Sequence, residues 1–89
     1  MKIKRKIEVT TGNIRKGVAS EVYHCPVALA IKRTLKIDNV YVAQDMTSFR
    51  FNDTEFDLSL PVRVINWIDR FDDRKEVKPF SFMLRGDSY

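Results

Sequence analysis

Residues 24 to 26, His-Cys-Pro, hold the only histidine and the only cysteine of the chain. Pro26 suits the first position of a helix, where a missing backbone N–H leaves no bond unmade. A thiol just ahead of a helix start lies near the positive end of the dipole, which favours the thiolate, the form that attacks electrophiles. A catalytic cysteine, however, takes its proton acceptor from elsewhere in the fold, with a third group orienting that acceptor. Here the single histidine is the sequence neighbour, and adjacent side chains point apart. Cys25 therefore reads as a small apolar plug or cap, with His24 near the surface, because free cysteine is among the most buried residue types. No catalytic residue is assigned, and the chain is not read as an enzyme.

The same helix start offers unbonded N–H groups at Val27, Ala28 and Leu29, to which a phosphate or carboxylate could bind with Tyr23 or His24 beside it. No glycine-rich loop accompanies them, so a Walker or dinucleotide fingerprint is absent. Asp69, Asp72 and Asp73 lack the alternating oxygens, central glycine and closing glutamate of an EF-hand loop. They read as a polar helix flank ending in a turn, and neither a metal nor a cofactor is expected. Lys32, Arg33 and Lys36 fall on one side of the helix that Pro26 starts, and Lys2, Lys4 and Lys6 on one side of a first strand. Together they could supply a basic surface for nucleic acid, although the aromatics fall mostly at core-facing positions and leave no platform for single strands. Leu29 lies between Lys32 and Arg33. With Trp67 at the margin of the last helix it would give a protein partner an apolar centre with a charged rim, unless a loop over 18 to 24 covers it.

The 89 residues make one domain, expected over 1 to 85 with a loose tail at 86 to 89. Apolar residues make up 44%, enough for a core. A lone cysteine forms no internal disulfide, and with one histidine it cannot build a structural zinc site. No stretch approaches the ~18 apolar residues of a membrane span, and MKIKRKIEV lacks the apolar segment of a signal peptide, so the expected setting is the cytoplasm. The net charge of +4 is a mild excess, with acidic runs at 53 to 57 and 69 to 73 among the basic ones.

Residues 3 to 9 alternate with period two, Ile3, Arg5, Ile7 and Val9 on one side and Lys2, Lys4, Lys6 and Glu8 on the other, which predicts a half-exposed strand. Thr10 and Thr11 can cap a short helix carrying Ile14, ended by Gly17. Residues 18 to 24 show no period and read as irregular chain with Val22 and Tyr23 tucked inward. From Pro26, the stripe Val27, Ile31 and Leu35 predicts a helix. Alternation at Val40 and Val42, at Phe49 and Phe51, and at Phe56, Leu58 and Leu60 predicts three short strands, with DMTS and NDT as turns. A second proline then starts a helix with Val64, Ile65, Ile68 and Phe71 on one face, and Phe80, Phe82 and Leu84 alternate as a last strand. The order β-α-α-β-β-β-α-β implies an α+β domain, a mostly antiparallel sheet of four to five strands with two to three helices packed on one face. Tyr41, Arg50, Ser81 and Met83 fall on the open face of that sheet.

Gly17 after the first strand, CPVALAIKR at 25 to 33 and LPVRVINWIDRFDDRKEVKPFSFML at 60 to 84 together resemble a family of small phage and prophage proteins. That family has a CP(V/I)ALA-like helix start and a closing pattern like LPxxVxxFIxxFDxxxxVxPFxF. The likeness covers nearly the whole chain, with Trp67 where a Phe is expected and Asp73 where a Gly is frequent. It brings no activity with it. It implies a phage accessory protein in the cytoplasm of a bacterial host, acting by binding and blocking a host defence component. The expectation is thus a binding module that contacts a host protein or a second copy of itself, with Leu29, Lys32, Arg33, Lys36, Trp67, Tyr23 and His24 as contact residues. The alternatives are a nucleic-acid-binding module and a binder of a phosphate-bearing small ligand near Pro26.

Overall fold

Alternation at the start of the chain becomes β1 (Lys2–Val9), whose Ile3, Ile7 and Val9 are buried while the lysines between them are exposed. Residues 1–43 and 45–88 are described by the computed structural model. After β1 come α1 (Thr11–Lys16), α2 (Pro26–Leu35), β2 (Val40–Ala43), β3 (Met46–Phe51), β4 (Thr54–Ser59), α3 (Val62–Asp72) and β5 (Phe80–Asp87). This is the α+β order that the sequence predicts. No helix among the described residues is long and apolar enough to cross a membrane.

The strands do not form one sheet. β1 and β5 make an antiparallel two-stranded ribbon, and β2, β3 and β4 an antiparallel three-stranded sheet. The ribbon is paired along its whole length, from Lys2 opposite Asp87 to Val9 opposite Phe80. Backbone acceptors near its free side are taken by α3: Arg63 Nη2 donates to the Ser81 carbonyl at 2.7 Å and Trp67 Nε1 to the Lys78 carbonyl at 2.9 Å. A neighbouring strand would otherwise claim such acceptors. β4 meets β5 through side chains instead, and at Gly86 a Cβ would lie 2.4 Å from Leu58 Cδ2, so the absence of a side chain there makes room for the leucine.

α2 lays Val27, Ala28, Ala30, Ile31 and Leu35 into the core between the sheets, as its stripe predicts. α3 adds Val64 and Ile68, and Phe49 stacks on Phe56 at 5.3 Å between ring centroids. A reciprocal capping box opens α1: Asn13 N donates to Thr10 Oγ1 at 3.1 Å and Thr10 N to Asn13 Oδ1 at 3.0 Å. The β3–β4 turn at Asn52 and Asp53 has φ of 52° and 60°, the left-handed pair of a type I′ hairpin.

Local expectations are corrected at four places. In DMTS, Met46, Thr47 and Ser48 already belong to β3, because Thr47 alternates with Phe49 onto the buried face. Pro61 is the cap of α3 and not its first residue, so the helix starts at Val62. Arg5, expected inward, is exposed, its guanidinium 5.7 Å from the Phe51 ring centroid. The segment expected as a loose tail is tied down, since Gly86 and Asp87 pair with Ile3 and Lys2, and Ser88 N donates to the Met1 carbonyl at 2.9 Å. Tyr89 lies outside the described residues.

Candidate functional site

The segment 18 to 24, aperiodic in sequence, is bonded at nearly every turn. It leaves α1 at Gly17, whose φ of −69° suits any residue. Glycine serves here by size, because a Cβ would lie 2.5 Å from Pro26 Cγ and 2.8 Å from Pro26 N. Val18 N then donates to the His24 carbonyl at 2.8 Å and His24 N to the Glu21 carbonyl at 3.1 Å, closing the loop on itself. Ser20, in the left-handed region at φ 60°, turns its N–H onto Asp72 Oδ1 of α3 at 2.9 Å. Val42 N of β2 donates to the Val22 carbonyl at 2.8 Å, and Lys32 Nζ to the Tyr23 carbonyl at 2.7 Å.

The loop holds Tyr23 outside the core. The sequence predicts it inward with Val22; Val22 is half-buried, but Tyr23 is 45% exposed. Bonds to α2, β2 and α3 fix the backbone on both sides of it, and its ring meets the edge of Tyr41, 5.6 Å away and inclined by 68°. Tyr41 belongs to the open face of the three-stranded sheet. Strand alternation sends Val40, Val42, Thr47, Phe49, Phe56 and Leu58 inward and leaves Tyr41, Ser48, Arg50, Glu55 and Asp57 outward. On one side of Tyr41 lies a hollow of about 260 Å³ lined by Tyr23, Ser48, Arg50, Glu55 and Asp57. On its other side a cleft of about 520 Å³ runs between the loop, the β2–β3 end and α3, with Val22, Met46 and Ile68 in its walls and Glu21, Asp45 and Asp72 among its polar groups. Ser48 Oγ donates to Asp57 Oδ1 at 2.6 Å, which holds that carboxylate against the sheet.

His24 and Cys25 do not act together. Cys25 is buried, and its Sγ accepts the Ala28 N–H at 3.4 Å as the cap of α2. Burial pushes the thiol pKa up, outweighing the opposing pull of the Ala28 and Val27 N–H groups, and the Asp72 carboxylate adds to the rise. The Ala28 amide that an anion would claim is thus engaged by sulfur. His24 is exposed, with Nδ1 3.5 Å from Glu21 Oε1. Among the described residues no cluster of His, Cys, Asp and Glu could hold a metal ion.

The remaining expected contact residues lie on α2 and its C-cap and on α3. Lys32 is committed to Tyr23. Arg33 Nη2 donates to the Glu8 carbonyl at 2.6 Å and Nη1 to Asn13 Oδ1 at 3.3 Å, clasping the end of β1 to α1. Lys36 is exposed at the left-handed C-cap of α2. Leu29 is half-buried, and Trp67, also half-buried, is closed into a ring stack with Phe71 at 5.8 Å and Phe80 at 4.8 Å. The ring contacts of Trp67 are thus to Phe71 and Phe80, and that of the exposed Tyr23 is to Tyr41. Alternation marks Tyr41 and Arg50 as open-face residues and the sequence names Tyr23 as a contact residue, but its outward turn against Tyr41 leaves no sequence signal.

Fold and site together define a small α+β domain with an aromatic, partly acidic open face. No protein-family model matches the chain, and neither the curated proteins nor the solved structures contain a match.

Proposed function

We propose that this chain is a protein-binding module whose contact surface is the open face of β2–β3–β4, centred on Tyr23 and Tyr41 with Arg50 beside them. The observation that carries this reading is Tyr23 itself, a large aromatic side chain 45% exposed at the apex of a loop bonded to three other elements. Tyrosine and arginine are the residue types that most often anchor protein interfaces. Edge-to-face contact with Tyr41 holds the ring ready, which lowers the ordering cost of association. Glu55 and Asp57 line the hollow beside Arg50, and Glu21 and Asp45 the cleft across Tyr41, so carboxylates outnumber arginine around the two tyrosines and the partner is one that presents basic groups. The likeness of 25 to 33 and 60 to 84 to small phage proteins supports a bacterial host protein as that partner, met in the host cytoplasm. The thiol cap on α2 removes the support for a phosphate-bearing ligand near Pro26.

The test is affinity capture from host lysate with the parent chain, Tyr23→Ala and Arg50→Ala, each checked for an unchanged thermal melt. A captured protein whose affinity falls by about ten- to thirtyfold in either variant supports the surface. A partner retained undiminished by both variants overturns it.

A further inference from the structure

The outward side of the β1–β5 ribbon is a second surface, with a different chemistry. Register places Lys2 opposite Asp87, Lys4 opposite Arg85, Lys6 opposite Met83 and Glu8 opposite Ser81 on this side, while Ile3, Ile7, Phe82 and Leu84 fill the core side. Lys4 and Arg85 are thus like charges directly across a ladder, an arrangement that destabilises a strand pair. Lys2 and Lys6 flank Lys4 at the next outward positions, each one two-residue step of ~6.7 Å away. Lys6 is balanced by Glu8 at 3.7 Å, but no ion pair among the described residues engages Lys2, Lys4 or Arg85. Arg63 extends the positive charge, lining a groove of about 430 Å³ with Met83 and Arg85. Opposite charges do face one another at the outer rung of Lys2 and Asp87, but the next outward rung, Lys4 and Arg85, keeps its repulsion.

We propose that this ribbon face binds duplex DNA through the phosphate backbone, with Lys2, Lys4 and Arg85 as its principal cations. Eight outward and inward residues per strand give a face ~26 Å long, most of one helical turn of a duplex. Beside its lysines and arginine it presents Glu8, Asp87, methionine and serine but no aromatic ring, so it offers nothing on which unpaired bases could stack, and a duplex is favoured over a single strand. Of the cations the sequence suggests, Lys2 and Lys4 stand on this face, whereas Lys32 and Arg33 of α2 hold backbone carbonyls; Arg85 of β5 is the one the sequence does not single out.

The test is fluorescence anisotropy of a labelled duplex of about 20 base pairs across 50 to 200 mM salt, a range over which three to four neutralised phosphates give a log–log slope of about −2.7 to −3.6 and an affinity loss of about 40- to 150-fold. Lys4→Ala and Arg85→Ala should each make the slope shallower by about 0.9, and together cut the loss to about 4- to 12-fold, while Lys75→Ala leaves it unchanged. The same length of single strand should bind more weakly. Absence of duplex binding at 50 mM salt overturns the proposal. So does an equal effect of Lys75→Ala, or tighter binding to phosphatidylserine vesicles than to the duplex. Tyr23→Ala leaves this assay unaffected, so the two surfaces fail or succeed independently.

Discussion

Adding one methyl group at Gly17 tests how the Tyr23 loop is seated. The new carbon would lie 2.5 Å from Cγ, 2.6 Å from Cδ and 2.8 Å from N of Pro26, all well inside contact distance. A flexible side chain could rotate away, but a proline ring and a backbone nitrogen at the start of a buried helix cannot. Overpacking of this kind costs about 1–3 kcal/mol, and the rigid neighbour places Gly17→Ala near the top of that range. For a domain of this size about 3 kcal/mol lowers the melting temperature by roughly 12–24 °C. Gly12→Ala is the internal control with the opposite sign. Its new carbon meets only Thr10 Oγ1 at 3.6 Å within α1, so it should gain about 0.5–1 kcal/mol, or a few degrees. Thermal melts followed by circular dichroism read both. Pro26→Ala removes Cγ and Cδ, so the double variant should lose less than the sum of the two single losses. A Gly17→Ala melt within about 2 °C of the parent would refute the account of glycine as a spacer.

Thr47 and Cys25 give further measurements. Thr47 is fully buried, and its Oγ1 has no hydrogen-bond partner among the described residues, so Thr47→Val should raise the urea midpoint by the equivalent of about 1 kcal/mol; a lowered midpoint would show that the hydroxyl is satisfied in solution. Cys25 should react with a thiol reagent far more slowly in the native chain than in urea, and equal rates would contradict its burial. Because folding raises the thiol pKa, the unfolded chain ionises first as pH climbs. The stability tied to this group is therefore complete below the ordinary thiol range and is lost as pH rises through the folded value, a decline that Cys25→Ala should remove.

Much of the fold was legible because it rests on local patterns. Period two marks β1, β4 and β5, the prolines mark the starts of α2 and α3, and Asn52-Asp53 marks a hairpin. The division into two sheets was not, since nothing in Phe80, Phe82 and Leu84 says that they meet β1 and not the β2–β3–β4 sheet; in the fold, Arg63 and Trp67 take carbonyls near β5. The site was less legible still. Tyr23 points outward because Ser20 adopts a left-handed turn and bonds Asp72, 52 residues away, a contact that leaves no periodic trace. Arg33 looked available for a ligand because the Glu8 carbonyl that occupies it lies 25 residues earlier.

The bond from Val42 N to the Val22 carbonyl also bears on how the chain behaves in a crowded solution. β2 is the terminal strand of its sheet, and its inward residues Val40 and Val42 are strongly β-forming. Such a margin left bare is a template on which further chains can stack. By occupying it at Val42 and bracing itself on Asp72, the loop that displays a tyrosine to partners also shields the sheet from unwanted copies of itself. Changes that loosen it should thus produce turbidity on standing before they produce unfolding.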